Sequence, residues 1–368
     1  MKDKKSIVML TKMLKWIGII LGSLVLLYGI YVVVIFLTFS RIEDNQTLEI
    51  KAANDDSSLG KLDSSTEHSI MTYNVGFGAY TPDYSFFMDG GSESWAFSKE
   101  AVIENISNAA KLIKSYNPDF AMVEEVDIDG TRSYHVDECE LIRDVLSNYQ
   151  SSSAINYHSK FLMYPLTQPH GANKSSLVLF SKYDIESSLR RSFPISNGFS
   201  KVVDLDRCYE IARIPMDNGK ELVMVTAHLS AYTNEAAVRE GQLQMLFDDL
   251  KAEYAKGNYV VCGGDFNHDL KLSDSTDDSE VESWAHAFNR QYLGDNFTLV
   301  IDNYMDSDKT AWNTCRNADA PYDPATAYTV AVDGFIVSDN IEVTDYEHIN
   351  TGYLYSDHDP VLMKFVLK

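Results

Sequence analysis

Residues 259–267, YVVCGGDFN, form an apolar run that ends in two glycines followed by polar residues. The run has the length and the β-branched content of a buried strand. The glycines give the backbone room to turn tightly, and Asp265 and Asn267 point the same way if the extended geometry continues. We interpret the stretch as a strand that carries Asp265 and Asn267 into a functional site.

Similar short apolar runs recur on both sides of this stretch and predict further strands. Two stretches between them, 99–116 and 236–255, keep apolar residues at a 3.6-residue period, which predicts helices that end near Pro118 and Gly257. The pattern predicts one mixed α/β domain over residues 67–368. The other predicted strands are 69–75, 119–126, 175–181, 221–229, 333–338 and 359–367.

Six of the seven predicted strands, all but 175–181, meet a polar side chain at one end that a packing role alone does not require. Taken singly, each has an ordinary structural explanation, such as a turn residue, a solvated carboxylate or a histidine at the edge of a core. Together they favour a functional site, because strand ends are where a rigid scaffold presents reactive groups. Besides Asp265 and Asn267, they are Asn74, Glu125, His228, Asp333, Asp357 and His358.

The 368-residue chain carries 31 basic and 54 acidic side chains, a net charge of −23. The first 15 residues hold five lysines and Asp3, so the remainder carries 26 basic and 53 acidic residues, a net charge of −27. With 45% hydrophobic residues, the chain has enough apolar side chain for a large core, which excludes a disordered protein. The acidity argues against nucleic-acid binding by bulk charge, and a polyanionic substrate would need a metal ion.

Residues 16–39 contain no charged side chain and predict a transmembrane helix. At about 1.5 Å per residue the segment spans roughly 36 Å, enough for a ~30 Å hydrocarbon core. A buried soluble helix and a cleaved signal peptide are the alternatives, but the run is long and ends without a small-residue cleavage site. We predict an uncleaved single-pass anchor, with residues 1–15 cytoplasmic, a linker over 40–66 and the domain outside the cytoplasm.

Four cysteines are too few and too dispersed for a disulfide framework, and none forms a C-x-x-C pair. Cys262 lies in an apolar run and is expected to pack as a small hydrophobic side chain. Pairing among Cys139, Cys208 and Cys315 is left open by the sequence.

The ordered series TYNV (72–75), EEV (124–126), TAHL (226–229), GGDFN (263–267), VDGFIV (332–337) and SDHDPV (356–361) resembles the endonuclease/exonuclease/phosphatase superfamily, the deoxyribonuclease I-like fold. The resemblance covers about residues 68–368. It implies a four-layer α/β sandwich, in which two β-sheets face each other, helices cover the outside and the active site lies at one end.

The resemblance also implies a metal site. Glu125 matches the ligand glutamate of the family, Asn74 the asparagine that supports that site, and Asp357 a further possible ligand. Such hard oxygen ligands suit Mg²⁺ or Mn²⁺ better than zinc. The family often has Gln-Glu where this chain has Glu124-Glu125, so either glutamate is a candidate; alignment on Val126 favours Glu125.

Five residues take catalytic roles by the same resemblance. Asp265 and Asn267 match the pair that orients or deprotonates the attacking water and helps to hold the phosphate. His358 matches the catalytic histidine, and Asp333 the acid that orients it. His228 matches a second histidine of the nuclease and sphingomyelinase branches. Phosphate-ester hydrolysis needs these elements: a positioned water, a cation on the phosphoryl oxygens and a group that stabilises the leaving oxygen.

The sequence therefore predicts a monomeric, membrane-anchored, metal-dependent phosphoesterase, nuclease-like or phospholipase C/sphingomyelinase-like. Its substrate would be a nucleic acid or a phospholipid head group, and the alternative is a catalytically silent surface-binding domain on the same fold. The aromatic loop 76–97 and the locally basic stretch 157–176 are either substrate-contacting or ordinary surface loops. The acidic segment 271–286 predicts a solvated loop or an insertion.

Overall fold

The structure, a computed structural model, describes residues 2–55, 59–196, 198, 206–231, 236–272, 284–305 and 309–368. The chain divides into two units, residues 1–41 and residues 42–368. The first unit contains helix α1 (Lys2–Thr38). Its apolar part, Ser6–Thr38, has a mean hydropathy of 2.7 and is long and apolar enough to cross a membrane.

The second unit contains helices α2 (Lys99–Tyr116), α3 (Glu138–Val145) and α4 (Ala236–Ala255). Its strands, in chain order, are β1 (Gln46–Thr47), β2 (Ile50–Lys51), β3 (His68–Asn74), β4 (Phe120–Gly130), β5 (Gln150–His158), β6 (Asn173–Ser181), β7 (Ser187–Ser192), β8 (Cys208–Pro215), β9 (Glu221–His228), β10 (Tyr259–Asp265), β11 (His268–Asp269), β12 (His286–Ala287), β13 (Phe297–Leu299), β14 (Cys315–Arg316), β15 (Thr329–Val330), β16 (Asp333–Ser338), β17 (Ile341–His348) and β18 (Val361–Leu367).

Two seven-stranded sheets dominate this unit. Sheet A has the order β1-β7-β8-β9-β10-β16-β13, and sheet B the order β17-β18-β3-β4-β6-β5-β2. Side chains of both sheets share one buried core, and α4 adds to it from the outer side of sheet A. Helices α2 and α3 pack in a second core on the outer side of sheet B. This arrangement confirms the predicted four-layer α/β sandwich.

Strand β4 shows how one sequence serves both cores. Phe120 and Met122 lie in the core between the sheets, whereas Ala121 and Val123 lie in the core under α2. The alternation follows from the two-residue period of a strand. A strand that is buried on both faces therefore reads as an uninterrupted apolar run, which is why its existence is clear from sequence.

Helix α2 follows the predicted bounds. The Ser98 side chain caps it by accepting a hydrogen bond from the Ala101 backbone N–H at 3.1 Å. Asn117, at φ 50°, ends it in the left-handed conformation that asparagine tolerates. The apolar positions of the predicted period are buried. They are Val102, Ile106, Ala109 and Ile113.

The segment assigned from sequence to a linker, 40–66, joins the second unit from Ile42 onward. Strands β1 and β2 extend the edges of sheets A and B. The Ser192 hydroxyl donates to the Ile42 carbonyl at 3.1 Å, and the Ser192 N–H donates to Asp44 at 2.8 Å. Short strands of two residues leave no hydrophobic pattern, so this attachment is not readable from sequence.

All four cysteines are buried and carry free thiols. Burial raises the pKa of the Cys139 and Cys208 thiols to about 12, so both stay protonated near neutral pH. Cys262 is buried in the large core that contains side chains of both sheets and of α4, as expected for a small hydrophobic side chain. The cysteines therefore act as small apolar side chains.

Glu210 makes the stability of the sandwich depend on pH. Its carboxyl group is buried on β8 and accepts hydrogen bonds from Ser152 of sheet B and from Ser188 at 2.7 Å. Burial raises the pKa of Glu210 to about 8. Above the pKa of about 4.3 of an unfolded glutamate, the unfolded chain releases this proton and the folded chain keeps it. The free energy of unfolding therefore falls as the pH rises toward 8, by on the order of 4 kcal/mol.

Glu210→Gln is expected to remove most of that decline. The decline is measured by urea unfolding of the full chain in detergent, with tryptophan fluorescence as the signal. The free energy of unfolding is compared at about pH 5 and about pH 8. Glu186→Gln, at an exposed position, is the control and should keep the wild-type pH dependence. An unchanged decline in Glu210→Gln would show that another group carries the effect.

Candidate active site

Three of the predicted site residues lie side by side on sheet A. His228 at the end of β9 pairs with Asp265 at the end of β10, and Asp265 pairs with Asp333 at the start of β16. Strands β9 and β10 are parallel, so their carboxyl ends meet at one edge, and the antiparallel β16 begins there. Three separate sequence motifs thus deliver their polar residues to one edge of the sheet.

Gly264 permits this close pairing. At φ 136° it occupies a conformation that other residues rarely adopt, and a Cβ atom there would lie 2.0 Å from the Ala227 carbonyl oxygen. The extended geometry assumed from sequence ends at Asp265, because Asn267 adopts a left-handed φ of 50°. The Asn267 backbone N–H donates to Asp265 at 2.9 Å, and its side-chain amide donates to the Leu229 carbonyl at 2.9 Å.

Asp265 is the centre of the site. Its Oδ2 accepts a hydrogen bond from the Asn74 amide at 3.1 Å and lies 3.2 Å from Nε2 of His228 and 3.9 Å from Nε2 of His358. Burial alone would raise the pKa of Asp265, but His228, His358 and Arg207 hold it below the usual range. Asp265 is therefore an ionised carboxylate, suited to accept a hydrogen bond from a water molecule and so to orient it.

His358 is held by Asp333. Nδ1 of the buried histidine lies 2.8 Å from Oδ2 of the buried aspartate. Burial lowers the pKa of His358, but the Asp333 carboxylate outweighs it and raises that pKa well above the ordinary value. Ser356 fixes the turn before β18, since its hydroxyl donates to the Asn74 carbonyl at 2.8 Å and accepts from the His358 N–H at 3.2 Å. His358 thus presents a protonated Nε2 toward Asp265.

His228 occupies a different electrostatic environment. Nδ1 of its ring lies 3.2 Å from the Asn156 amide nitrogen of β5, which links the two sheets at this end. Burial and the nearby Arg207 lower the pKa of His228. The two histidines on either side of Asp265 therefore have opposite pKa shifts. The shift of His228 favours the neutral ring, and the shift of His358 favours the charged ring.

Glu125, not Glu124, borders the open part of the site. Glu125 sits at φ 55° where β4 bulges against β6, and its carboxylate is partly exposed, 4.0 Å from Nε2 of His228. Glu124 is fully buried and accepts hydrogen bonds from Thr72 at 3.2 and 3.3 Å. Burial, followed by Asp333 and Asp265, raises the pKa of Glu124 well above normal. The geometry thus favours Glu125 as the candidate ligand.

The donor set around Glu125 suits a hard divalent cation. Burial, with Glu125 among the further contributors, raises the pKa of Asp357 to about 6, so a cation nearby would relieve the crowding of carboxylates. Oδ1 of Asn74 accepts from the Gly76 N–H at 3.0 Å, while its amide supports Asp265. Cys315 lies near Asp357 and His358, but burial raises the pKa of its thiol to about 12, which disfavours a zinc-type ligand set.

A small polar pocket adjoins Glu125, and most of its lining was not singled out from sequence. The Arg132 guanidinium pairs with Asp127 through two hydrogen bonds, at 3.0 and 2.8 Å, and lies 3.8 Å above the Phe77 ring. An isolated arginine such as Arg132 produces no periodic pattern in the sequence. The stretch 157–176, which was noted as locally basic, contributes Tyr157 and Ser175 to the pocket lining. The pocket is lined by Glu125, Arg132, Asn156, Tyr157, Ser175 and Arg207.

Two buried polar atoms in that pocket, the Ser175 hydroxyl and Oδ1 of Asn156, have no hydrogen-bond partner among the described residues. A buried polar group without a partner costs free energy, so such atoms commonly serve a ligand or water. The pocket is therefore equipped to receive a polar group next to Glu125.

The aromatic loop 76–97 packs largely on itself. Tyr80, Tyr84 and Phe86 are buried and meet edge to face, with ring centroids 5.0 Å apart for the two tyrosines. The buried aromatic side chains of this loop therefore close it on itself. Most of the acidic segment 271–286 lies outside the described residues.

Comparison with known proteins agrees with this geometry. The model of the endonuclease/exonuclease/phosphatase family matches residues 71–358. A search of curated proteins finds no match.

Several solved structures share the fold. An endonuclease/exonuclease/phosphatase family protein from Leptotrichia buccalis superimposes with a TM-score of 0.54 at 12% identity, over 81% of this chain and 99% of that one. An endonuclease/exonuclease/phosphatase from Beutenbergia cavernae gives 0.52 at 16% identity, over 82% and 72%. TDP2 of D. rerio, solved with a single-strand DNA product, gives 0.51 at 15% identity, over 82% and 99%.

Proposed function

Since this chain belongs to the endonuclease/exonuclease/phosphatase family, we propose that it is a metal-dependent hydrolase that cleaves phosphodiester bonds by attack of water. Members of the family are generally metal-dependent hydrolases that act on phosphate esters. The observation that carries the proposal is the convergence of an ionised Asp265 with His228 and a carboxylate-held His358. Such a set serves proton transfer and charge stabilisation at a phosphate.

In this proposal Asp265 orients the attacking water and accepts its proton. Asn74 holds the Asp265 carboxylate in place, and Asn267 closes the turn beside it. The protonated His358 neutralises charge on the phosphate or its leaving oxygen, while Asp333 keeps the ring in orientation. His228 lies against the same carboxylate as a further hydrogen-bonding group.

Mg²⁺ or Mn²⁺ is the proposed cofactor, with Glu125 and Asp357 as ligands and Asn74 in support. A divalent cation at these oxygens would neutralise the phosphoryl oxygens and so permit a phosphate to approach a domain of strongly negative charge. The alternative, a catalytically silent binding domain, is disfavoured because a domain without catalysis has no need for this buried, costly set of charges.

We further propose that residues 16–39 anchor the protein as a single-pass protein of the cell membrane, with the domain outside the cytoplasm. The support is the length and hydropathy of α1 and the lysines that precede residue 16. A monomer remains our expectation. Both a nucleic acid and a phospholipid head group stay candidate substrates at this level.

A substrate panel tests the proposed activity. The full chain in detergent is incubated with Mg²⁺ and bis-p-nitrophenyl phosphate, double-stranded DNA, single-stranded DNA, RNA or phospholipid. We expect hydrolysis of the generic diester and a rate more than about 100-fold higher on one natural class of substrate than on the others. This ratio corresponds to roughly 2.7 kcal/mol of differential transition-state binding. Absence of turnover on every substrate would support the silent binding domain instead.

A further inference from the structure

A group of large apolar side chains is exposed on one loop of the domain. Phe161, Met163, Tyr164 and Leu166 have exposed fractions of 51%, 41%, 71% and 78%. Met88, exposed by 51%, extends the group from the neighbouring loop, where Phe87 lies 5.8 Å from the Tyr164 ring. We call these five exposed residues, Met88 included, the apolar rim. A contiguous exposed group of this kind marks an interaction surface.

The inner side of the loop that carries the apolar rim is firmly attached. The Trp95 indole donates to the Pro169 carbonyl at 2.8 Å, and the Ser94 N–H donates to the Gln168 side chain at 3.2 Å. The His170 ring is buried and packs against Phe86 and Phe87. The apolar side chains are therefore held outward by a loop that is fixed on its inner face.

The apolar rim lies at the same end of the sandwich as the candidate active site. Its loop connects the end of β5 to the start of β6, and Tyr157 and Ser175 at these two strand ends line the pocket beside Glu125. The loop that bears Met88 begins just after Asn74, at the end of β3. Whatever covers the apolar rim therefore stands close to the substrate.

The β5–β6 loop, which carries four of the five residues of the apolar rim, is locally basic in an acidic domain. Residues 157–176 contain Lys160, Lys174 and the exposed His158 and no acidic residue, whereas Asp89 follows Met88 in the neighbouring loop. A surface that combines exposed Phe, Tyr, Leu and Met with lysines fits the interface of an anionic lipid bilayer. Nucleic acid is a poorer fit, because three of the five rim side chains, those of Met88, Met163 and Leu166, offer no ring on which a base stacks.

The chain enters the domain at this same end. The Ile42 carbonyl accepts a hydrogen bond from the Ser192 hydroxyl. Ser192 on β7 lies opposite Cys208 on β8, and Cys208 lies opposite His228 on β9. Two strand spacings of about 4.8 Å put Ser192, which holds Ile42, roughly 10 Å from the site histidine. Only residues 39–41 separate Ile42 from the end of the apolar helix at Thr38.

We propose that the apolar rim docks into the surface of a lipid bilayer, so that the active site faces the lipid head groups and takes a lipid phosphate ester as substrate. The inference rests on the proposed hydrolase and its membrane anchor, and it selects the phospholipid class over nucleic acid. The exposed rim, its basic surroundings and the point of chain entry lead to it independently.

Vesicle binding by the fragment 42–368 tests the docking without the anchor. This fragment is a compact unit that contains both sheets and both buried cores. The fragment should co-sediment with vesicles of phosphatidylcholine and phosphatidylglycerol, and the combined change Phe161→Ser, Tyr164→Ser and Leu166→Ser should weaken partitioning by about 100-fold. Ile103→Ser, at an exposed position of α2, is the matched control and should bind like the wild type.

Tyr164→Trp in the same fragment gives a second readout that does not depend on the triple change. Its emission should shift to the blue when vesicles are added, relative to the unsubstituted fragment. The absence of a blue shift, or equal vesicle binding by the triple variant and the wild type, would overturn the proposal. The proposal would also be overturned if the triple substitution weakened binding to single-stranded DNA and left vesicle binding unchanged.

Hydrolysis of soluble bis-p-nitrophenyl phosphate separates this proposal from the proposed function. The triple variant should hydrolyse it at the wild-type rate, while full-chain activity on phospholipid in nanodiscs falls by about tenfold or more. Equal loss on both substrates would overturn the docking role, because the rim would then affect catalysis itself. If neither the wild type nor the triple variant hydrolyses the soluble diester, the proposed hydrolase activity is contradicted. The vesicle-binding experiment then still tests the docking proposal by itself.

Discussion

Asp265→Asn is expected to lower kcat for a phosphodiester by about 10³- to 10⁴-fold. The substitution keeps the shape of the side chain but replaces an ionised carboxylate that accepts a hydrogen bond from Asn74 and faces both His228 and His358. Without this charge, the site loses its proton acceptor and the group that orients water. Steady-state hydrolysis of bis-p-nitrophenyl phosphate with Mg²⁺ measures the loss.

Asp359→Asn is the matched control for Asp265→Asn. Asp359 is also a buried aspartate, but its carboxylate holds the turn before it by accepting from the backbone N–H groups of Thr351 and Tyr353 at 3.1 and 3.3 Å. Its replacement should lower thermal stability and leave kcat within about tenfold of wild type. A folded Asp265→Asn variant that keeps a kcat close to wild type would refute the assignment of Asp265.

His358→Gln is expected to have the second-largest effect, a decrease in kcat of about 10³-fold. Glutamine cannot carry the positive charge that Asp333 stabilises on the imidazole, so developing charge on the phosphate loses its partner. His348→Gln is the control, since His348 is another histidine near an aspartate, with Nε2 3.7 Å from Asp359, outside the site. It should retain nearly full activity.

The pair His358 and Asp333 gives a sharper test through a double-mutant cycle. Asp333→Asn should slow hydrolysis by a smaller factor, because it acts through the orientation and charge of His358. In the double variant the Asp333 change should add little to the loss from His358→Gln, since residues that act as a unit are not additive. Full additivity would mean that Asp333 acts independently of His358.

The sequence predicted several strands whose two faces are both apolar, and the strands that it missed include two that face a polar interior. Strands β5 and β7 have polar sequences, QSSSAINYH and SSLRRS, with no apolar alternation. Their inward side chains find polar partners in the fold: Glu210 accepts hydrogen bonds from Ser188 on the neighbouring strand and from Ser152 across the sandwich. Only the assembled fold supplies these partners, so a local pattern cannot reveal such strands.

The candidate site was predictable to the extent that its residues end recognisable strands. Asp265, His228 and Asp333 each follow or open an apolar run, and strand pairing brings them together. Arg132 and Arg207, in contrast, lie in irregular segments about 75 positions apart in the sequence, and only the folded chain places both beside Glu125. Isolated charges of this kind carry no pattern that a single sequence displays.

The charge of the domain and the chemistry of its site are reconciled by the proposed cation. A domain with many more acidic than basic residues repels phosphate, and the carboxylates of Glu125, Asp357 and Asp265 intensify that repulsion locally. A bound divalent cation reverses the local field while the rest of the surface stays acidic. The hydrolase proposal therefore requires that hydrolysis depend on a divalent cation.

The most direct test is a metal titration of hydrolysis by the full chain after its divalent cations have been removed with a chelator. We expect no hydrolysis of bis-p-nitrophenyl phosphate without added cation and a saturable rise with Mg²⁺ or Mn²⁺. Glu125→Gln should need about tenfold more cation for half-maximal rate, as expected for the loss of a charged ligand. An equal rate in the presence and absence of divalent cation would contradict the proposed metal-dependent hydrolase.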